Sequence, residues 1–191
     1  MREFLVFFLT VFVVFIIINK LYALDEVVQI KSGKDNIVYI VRDLPDAKEA
    51  ADRLSEINTK VLRLIDSIKD QKKDGVDRLK ENYNPNNLSE TGINAKYTSY
   101  SVNKGEKISI CLRNKMNNTF EDTNTVMFVV LHELSHVMTK TVGHDKTFWE
   151  NMSYLLHEAE KIGIYNHQDY GKIPVDYCGM EINSTPYDLK K

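Results

Sequence analysis

The chain has 191 residues, 43% of them apolar and 27% charged, with a net charge of -2 and only 8 Gly, 4 Pro and 2 Cys. Collagen-like, low-complexity and disulfide-scaffold classes are excluded, and a net negative charge leaves no basic footprint for nucleic acid. The composition is uneven, because 19 of the first 24 residues are apolar and five of the eight Phe fall within the first fifteen positions. The leader's Arg2, Glu3 and Lys20 sum to +1, which leaves -3 for residues 25–191. Those residues suffice for one domain with its own core.

Residues 1–24 read as an N-terminal transmembrane anchor or signal segment. Phe4 to Ile18 is apolar apart from Thr10; continued through Leu21 to Leu24, the stretch reaches about 31 Å as a helix, enough for a hydrocarbon core. Lys20 near its end could snorkel to the interface. The expectation is a single-pass protein of a viral or host membrane, with membrane lipid as a partner of this helix. The alternative is cleavage after Ala23 and secretion, with bulky Leu21 at the minus-three position counting against it. Orientation is open: Lys31, Lys34 and Arg42 after the leader would keep the domain cytosolic. Sequons at Asn87, Asn117, Asn151 and Asn183 would suit a lumenal one, and Cys111 and Cys178 could be a disulfide or two thiols.

In the remainder, Val27 to Ile30 and Ile37 to Val41 flank the turn-like Ser32-Gly33-Lys34-Asp35 and predict a hairpin. Ala47, Ala50, Leu54, Ile57, Val61, Leu64 and Ile68 recur every three or four residues and predict an amphipathic helix to about Gln71, packed within the chain rather than in a coiled-coil stalk. Lys72 to Gly92 reads as a polar loop. Ala95 to Val102 and Lys107 to Leu112 read as strands joined by Asn103-Lys104-Gly105-Glu106. An apolar helix follows over Thr125 to Thr139, Asp145 caps another that runs to about Ile162, and Ile173 to Ile182 is a weak strand.

One motif turns the question from fold to reaction. In His132-Glu133-Leu134-Ser135-His136 the two histidines are four residues apart, so a helix sets them about 40° apart on one face, able to point at one ion. Zinc held by two imidazoles and one further ligand keeps a position open for water, and an adjacent glutamate can take that water's proton. The motif continues Val126-Met127-Phe128-Val129-Val130-Leu131, a helix apolar nearly all round, where buried imidazoles and a carboxylate are costly without a partner. The third ligand is open among His144, Asp145, Glu150, His157 and Glu158. His144 follows Gly143, where a turn can return it to the ion; Glu150 is the best acidic alternative.

The sequence His132-Glu133-Leu134-Ser135-His136, then Gly143-His144-Asp145-Lys146-Thr147-Phe148-Trp149, resembles the HExxH and H-x-x-x-F-W pattern of the WLM and SprT-like zinc metallopeptidases, including WLM-like proteins of large DNA viruses. Tyr97-Thr98-Ser99-Tyr100 to Lys104-Gly105, and Ile110-Cys111-Leu112-Arg113, resemble the strand pair before that helix. The resemblance covers about Asn94 to Tyr177. It implies zinc as cofactor, His132, His136 and His144 as metal ligands, Glu133 as catalytic base, and Phe148 and Trp149 packed behind the third ligand. Relatives that act on DNA-crosslinked proteins carry DNA- or partner-binding extensions; this chain has instead an apolar leader and an acidic body, so nucleic acid is not an expected partner.

The expectation is thus an α+β, small zincin-type metallopeptidase domain at 25–191: a small antiparallel sheet, an active-site helix and supporting helices, behind the N-terminal transmembrane helix. It would hydrolyse peptide bonds in a protein or peptide substrate. Two alternatives are a non-catalytic membrane-tethered zinc-binding module and a hydrolase of non-peptide amides. The strand Lys107 to Leu112 is the candidate edge for substrate pairing. Tyr165, Tyr170 or Tyr177 could donate to a transition state, and Cys178 could reach the metal as a thiolate. Oligomeric state is not legible.

Overall fold

The computed structural model describes residues 2–24, 26–70 and 72–187. Helix α1 (Arg2–Leu24) comes first. Its described side chains, Phe4 and Val6 to Ile16, are exposed, and the Thr10 hydroxyl donates to the carbonyls of Val6 and Phe7 at 3.1 and 2.8 Å. Among the described residues no helix is long and apolar enough to cross a membrane. This overturns the expected N-terminal transmembrane helix. The single-pass localisation and the lipid partner fall with it. The side chains of Lys20 and Ala23, invoked for snorkelling and cleavage, lie outside the described residues.

Strands β1 (Val27–Lys31) and β2 (Val38–Arg42) form the expected hairpin, with Val27 opposite Arg42 and Lys31 opposite Val38. Alternation turns Tyr39 and Val41 inward. Helix α2 (Ala47–Ser67) buries Ala50, Leu54, Ile57, Val61 and Leu64 against β1, β2 and the next strand, so its apolar stripe is satisfied within the chain. Gln71, where the sequence placed its end, lies outside the described residues.

Where the sequence reads as a polar loop, the chain forms helix α3 (Val76–Asn82) and strand β3 (Leu88–Glu90). Both are short, and β3 carries buried Ser89 and Glu90, so hydrophobic periodicity gives no signal for them. Strands β4 (Tyr100–Val102) and β5 (Lys107–Ile110) follow. The sheet order is β3-β5-β4, with β3 parallel to β5 and β4 antiparallel to it. The sheet is therefore mixed rather than antiparallel, β5 is its centre, and β4 is the edge that packs beside the helix carrying His132 and His136. Asn103, Lys104 and Gly105 all have positive φ in the connecting turn. A Cβ on Gly105 would lie 2.7 Å from the Asn82 carbonyl oxygen, so only glycine lets this turn close on α3.

Helix α4 (Thr123–Met138) starts at Asp122, whose carboxylate accepts from the Thr125 amide at 2.9 Å. It packs against α3, β4, β5 and helix α5 (Lys146–Lys161), and is buried nearly all round. The weak strand expected at Ile173 to Ile182 is instead a hairpin of β6 (Val175–Tyr177) and β7 (Met180–Ile182). The chain reverses at Cys178 and Gly179, which have φ of 53° and 82°. Cys111 and Cys178 are joined in a disulfide, so neither is a free thiol.

A buried ion network ties these layers together. Arg113 is 0% exposed; its Nε donates to Glu90 Oε1 at 2.8 Å and its Nη2 to the Arg42 carbonyl at 3.0 Å. It also pairs with Asp46 at the start of α2. Glu90 Oε2 accepts from the Arg42 amide at 2.7 Å, so one carboxylate joins β2, β3 and the chain after β5. A buried charge of this kind is tolerated only while paired. Glu90→Gln should lower unfolding stability by about 3 kcal/mol in urea titrations. Lys48→Ala, which breaks the surface pair with Asp52, should change it by less than about 1 kcal/mol.

Candidate metal centre

Helix α4 puts His132 and His136 one turn apart, and the chain after it brings in the third imidazole. That return is held at both ends. Thr139, at the end of α4, accepts on Oγ1 from Asn151 Nδ2 of α5 at 2.9 Å, with both residues buried. Asp145 caps α5 by accepting from the Phe148 amide at 2.9 Å, while Thr141 Oγ1 donates to its other oxygen at 2.6 Å. Between them, Lys104 Nζ from the β4–β5 turn donates to the Thr141 carbonyl at 2.6 Å, and Gly143 makes the reversal with φ +90°.

The result is a convergence of three ring nitrogens. His144 Nε2 is 3.0 Å from His132 Nε2 and 3.1 Å from His136 Nε2. Three nitrogens on one tetrahedral zinc at about 2.05 Å would stand about 3.3 Å apart, so the donor set fits such an ion with a small expansion. Among the described residues these three histidines form the one cluster able to hold a metal. The Phe148 ring is fully buried and packs on all three, with centroid distances of 4.4 Å to His136, 4.6 Å to His144 and 4.9 Å to His132. Trp149 lies 5.4 Å from His144.

Electrostatics agree with the geometry. Burial, helped by the neighbouring His136 and His144, holds the His132 pKa down to about 3. Burial also lowers His136 to about 4, with His144 and Lys104 adding to it, and lowers His144. Imidazoles kept neutral in this way have free lone pairs, the form a metal requires. Burial pushes the Glu133 carboxyl up to about 7, moderated by hydrogen bonds from Ser101 at the β4 edge. Its Oε2 is buried and has no hydrogen-bond partner. An orphaned carboxylate oxygen one residue from His132 fits a site that takes up a polar guest.

The other ligand candidates are committed elsewhere. Asp145 is the α5 cap, Glu150 pairs with Lys146 and Glu158 with Lys161. His157 Nδ1 donates to the Ser153 carbonyl at 2.7 Å, with its ring stacked on Tyr187. Tyr165 and Tyr170 are buried against Phe128. Tyr177 is fully buried and donates its hydroxyl to the Cys111 carbonyl at 2.7 Å, and Cys178 is spent in the disulfide. Sequence reasoning missed Ser101 and Lys104 as parts of the site, because each acts through tertiary placement rather than spacing.

Residues 33–176 match the family model for the WLM domain. An uncharacterized protein of Acanthamoeba polyphaga mimivirus is 32% identical over 165 residues, 83% of this chain and 84% of that protein. An uncharacterized protein of Invertebrate iridescent virus 3 is 41% identical over 82 residues, 43% of this chain and 50% of that protein. The crystal structure of Wss1 from Saccharomyces cerevisiae superposes with a TM-score of 0.50 at 26% identity, covering 64% of this chain and 86% of that one. A Wss1 mutant structure gives 0.51 at 24% identity, over 65% of this chain and 92% of that one. The chain belongs to the WLM domain family. Membership supports a zinc metalloprotease-like function, and the histidine cluster is the place a metal would occupy.

The disulfide joins the end of β5 to the β6–β7 hairpin across a sequence separation of 67. Replacing both cysteines with alanine should lower unfolding stability by about 4 kcal/mol on loop-closure entropy, measured by thermal or urea denaturation.

Proposed function

We propose that this protein is a zinc-dependent endopeptidase in which His132, His136 and His144 hold the ion and Glu133 is the general base. The observation that carries this reading is the orphaned Glu133 Oε2 beside three converged Nε2 atoms. Zinc in such a site supplies Lewis acidity, polarising a carbonyl and acidifying water. Glu133, whose carboxyl titrates near neutrality, accepts the proton from the attacking water and returns it to the departing amine. Ser101 fixes one side of that carboxylate, and the Phe148 ring keeps the three imidazoles from turning away. The free edge of β4 is where a substrate main chain would pair, giving affinity with little demand on sequence.

A purely structural zinc site would call for a fourth protein ligand. The cluster has three members among the described residues, which favours the catalytic reading over the binding-module one. Glu133→Gln should keep its zinc, by metal analysis, while casein hydrolysis falls by about 10²- to 10⁴-fold; an unchanged rate would remove Glu133 from the mechanism. His144→Ala should lose zinc and activity together, and a chelator should abolish wild-type hydrolysis until zinc is restored.

A further inference from the structure

A cavity of about 420 Å³ opens beside His132 and Glu133. Its lining is mostly apolar, with Phe128 and Val129 from α4, Trp149 and Met152 from α5, Ile182 from β7 and Pro186 beyond it, while Thr98, Ser99, Asn183 and Ser184 add polar groups. Lys96 and Glu181 also line it, and both are exposed, at the mouth. Lys96 Nζ sits 5.1 Å over the Tyr97 ring, and Glu181 accepts from Asn183 Nδ2 at 3.1 Å. The charged groups facing the interior are those of the metal end.

We propose that this cavity is the specificity pocket of the site and takes one bulky apolar side chain, aromatic or large aliphatic, from the peptide beside the bond to be cut. The inference rests on the peptidase reading and goes beyond it by assigning the residue class selected. The segment Lys96 to Ser99 lines the pocket and runs straight into the β4 edge. A peptide paired along β4 would present alternate side chains to one face, and the pocket lies where that segment begins. A carboxylate would be stripped of water among apolar walls close to Glu133. The far wall, with Ile182 and Pro186, belongs to residues after 176, beyond the stretch matched by the family model.

Trp149 is the only tryptophan in the chain, so its fluorescence reports occupancy without any need for turnover. The test titrates the full chain, with and without added zinc, with capped pentapeptides that differ only in a central phenylalanine, leucine, alanine or aspartate. The phenylalanine and leucine peptides should shift Trp149 emission and bind at least about tenfold more tightly than the other two. Val129→Phe fills the pocket from α4 and Ile182→Phe narrows it from the opposite wall. Either, with native circular dichroism, should collapse the ratio of phenylalanine to alanine affinities towards one. Equal binding across the series, or a ratio unmoved by both substitutions, overturns the proposal. Hydrolysis of the same peptides is scored separately. Selective binding without cleavage upholds the pocket and sinks the peptidase reading, whereas cleavage with equal binding does the reverse.

Discussion

The structure turns on one desolvation problem. Helix α4 is apolar almost all round, yet it carries two imidazoles and a carboxylate, and its burial sets the protonation of all three. Charge is expelled from the histidines and proton affinity is raised on the glutamate, both by the same loss of water. A set of neutral donors beside a carboxylate near its midpoint at neutral pH follows from where the helix lies, before any ligand is considered.

Everything around α4 makes that burial affordable. The sheet covers it on one side and α5 on another, and the Arg113–Glu90 pair locks the hairpin and the start of α2 to the sheet that α4 rests on. The loop that delivers His144 is exposed over most of its length, but it is pinned by Lys104, Thr139 and Asp145. Two donors are thus fixed by helix geometry, and the third depends on a chain reversal held by hydrogen bonds.

Helix periodicity made α2, α4 and α5 legible in the sequence, and the four-residue histidine spacing with the reversal at Gly143 made the convergence of the three histidines legible. Short elements escaped notice: α3 and β3 are built around polar residues buried by tertiary pairing, which period-based reading takes for loop. Because β3 was missed, β5 was mistaken for an edge when it is the centre of the sheet. The leader was overread for a different reason. An apolar composition was extrapolated across Asn19 and Lys20 to a full span, whereas among the described residues no helix is long and apolar enough to cross a membrane. The pocket wall at Ile182 gave no sequence signal, since it depends on a hairpin reversed at Cys178 and Gly179 with positive φ.

The Cys111–Cys178 bond draws a covalent ring around a stretch that contains Glu133, all three histidines and Trp149. The exposed loop segments at 116–119 and 140–145 both lie inside that ring. A single backbone cut in either would leave two pieces still joined through sulfur, with α4 and α5 held against the same sheet. For a protein whose proposed work is cutting peptide bonds, at concentrations where its neighbours are copies of itself, the ring turns a nick in its most accessible loops from a fragmentation into a local injury.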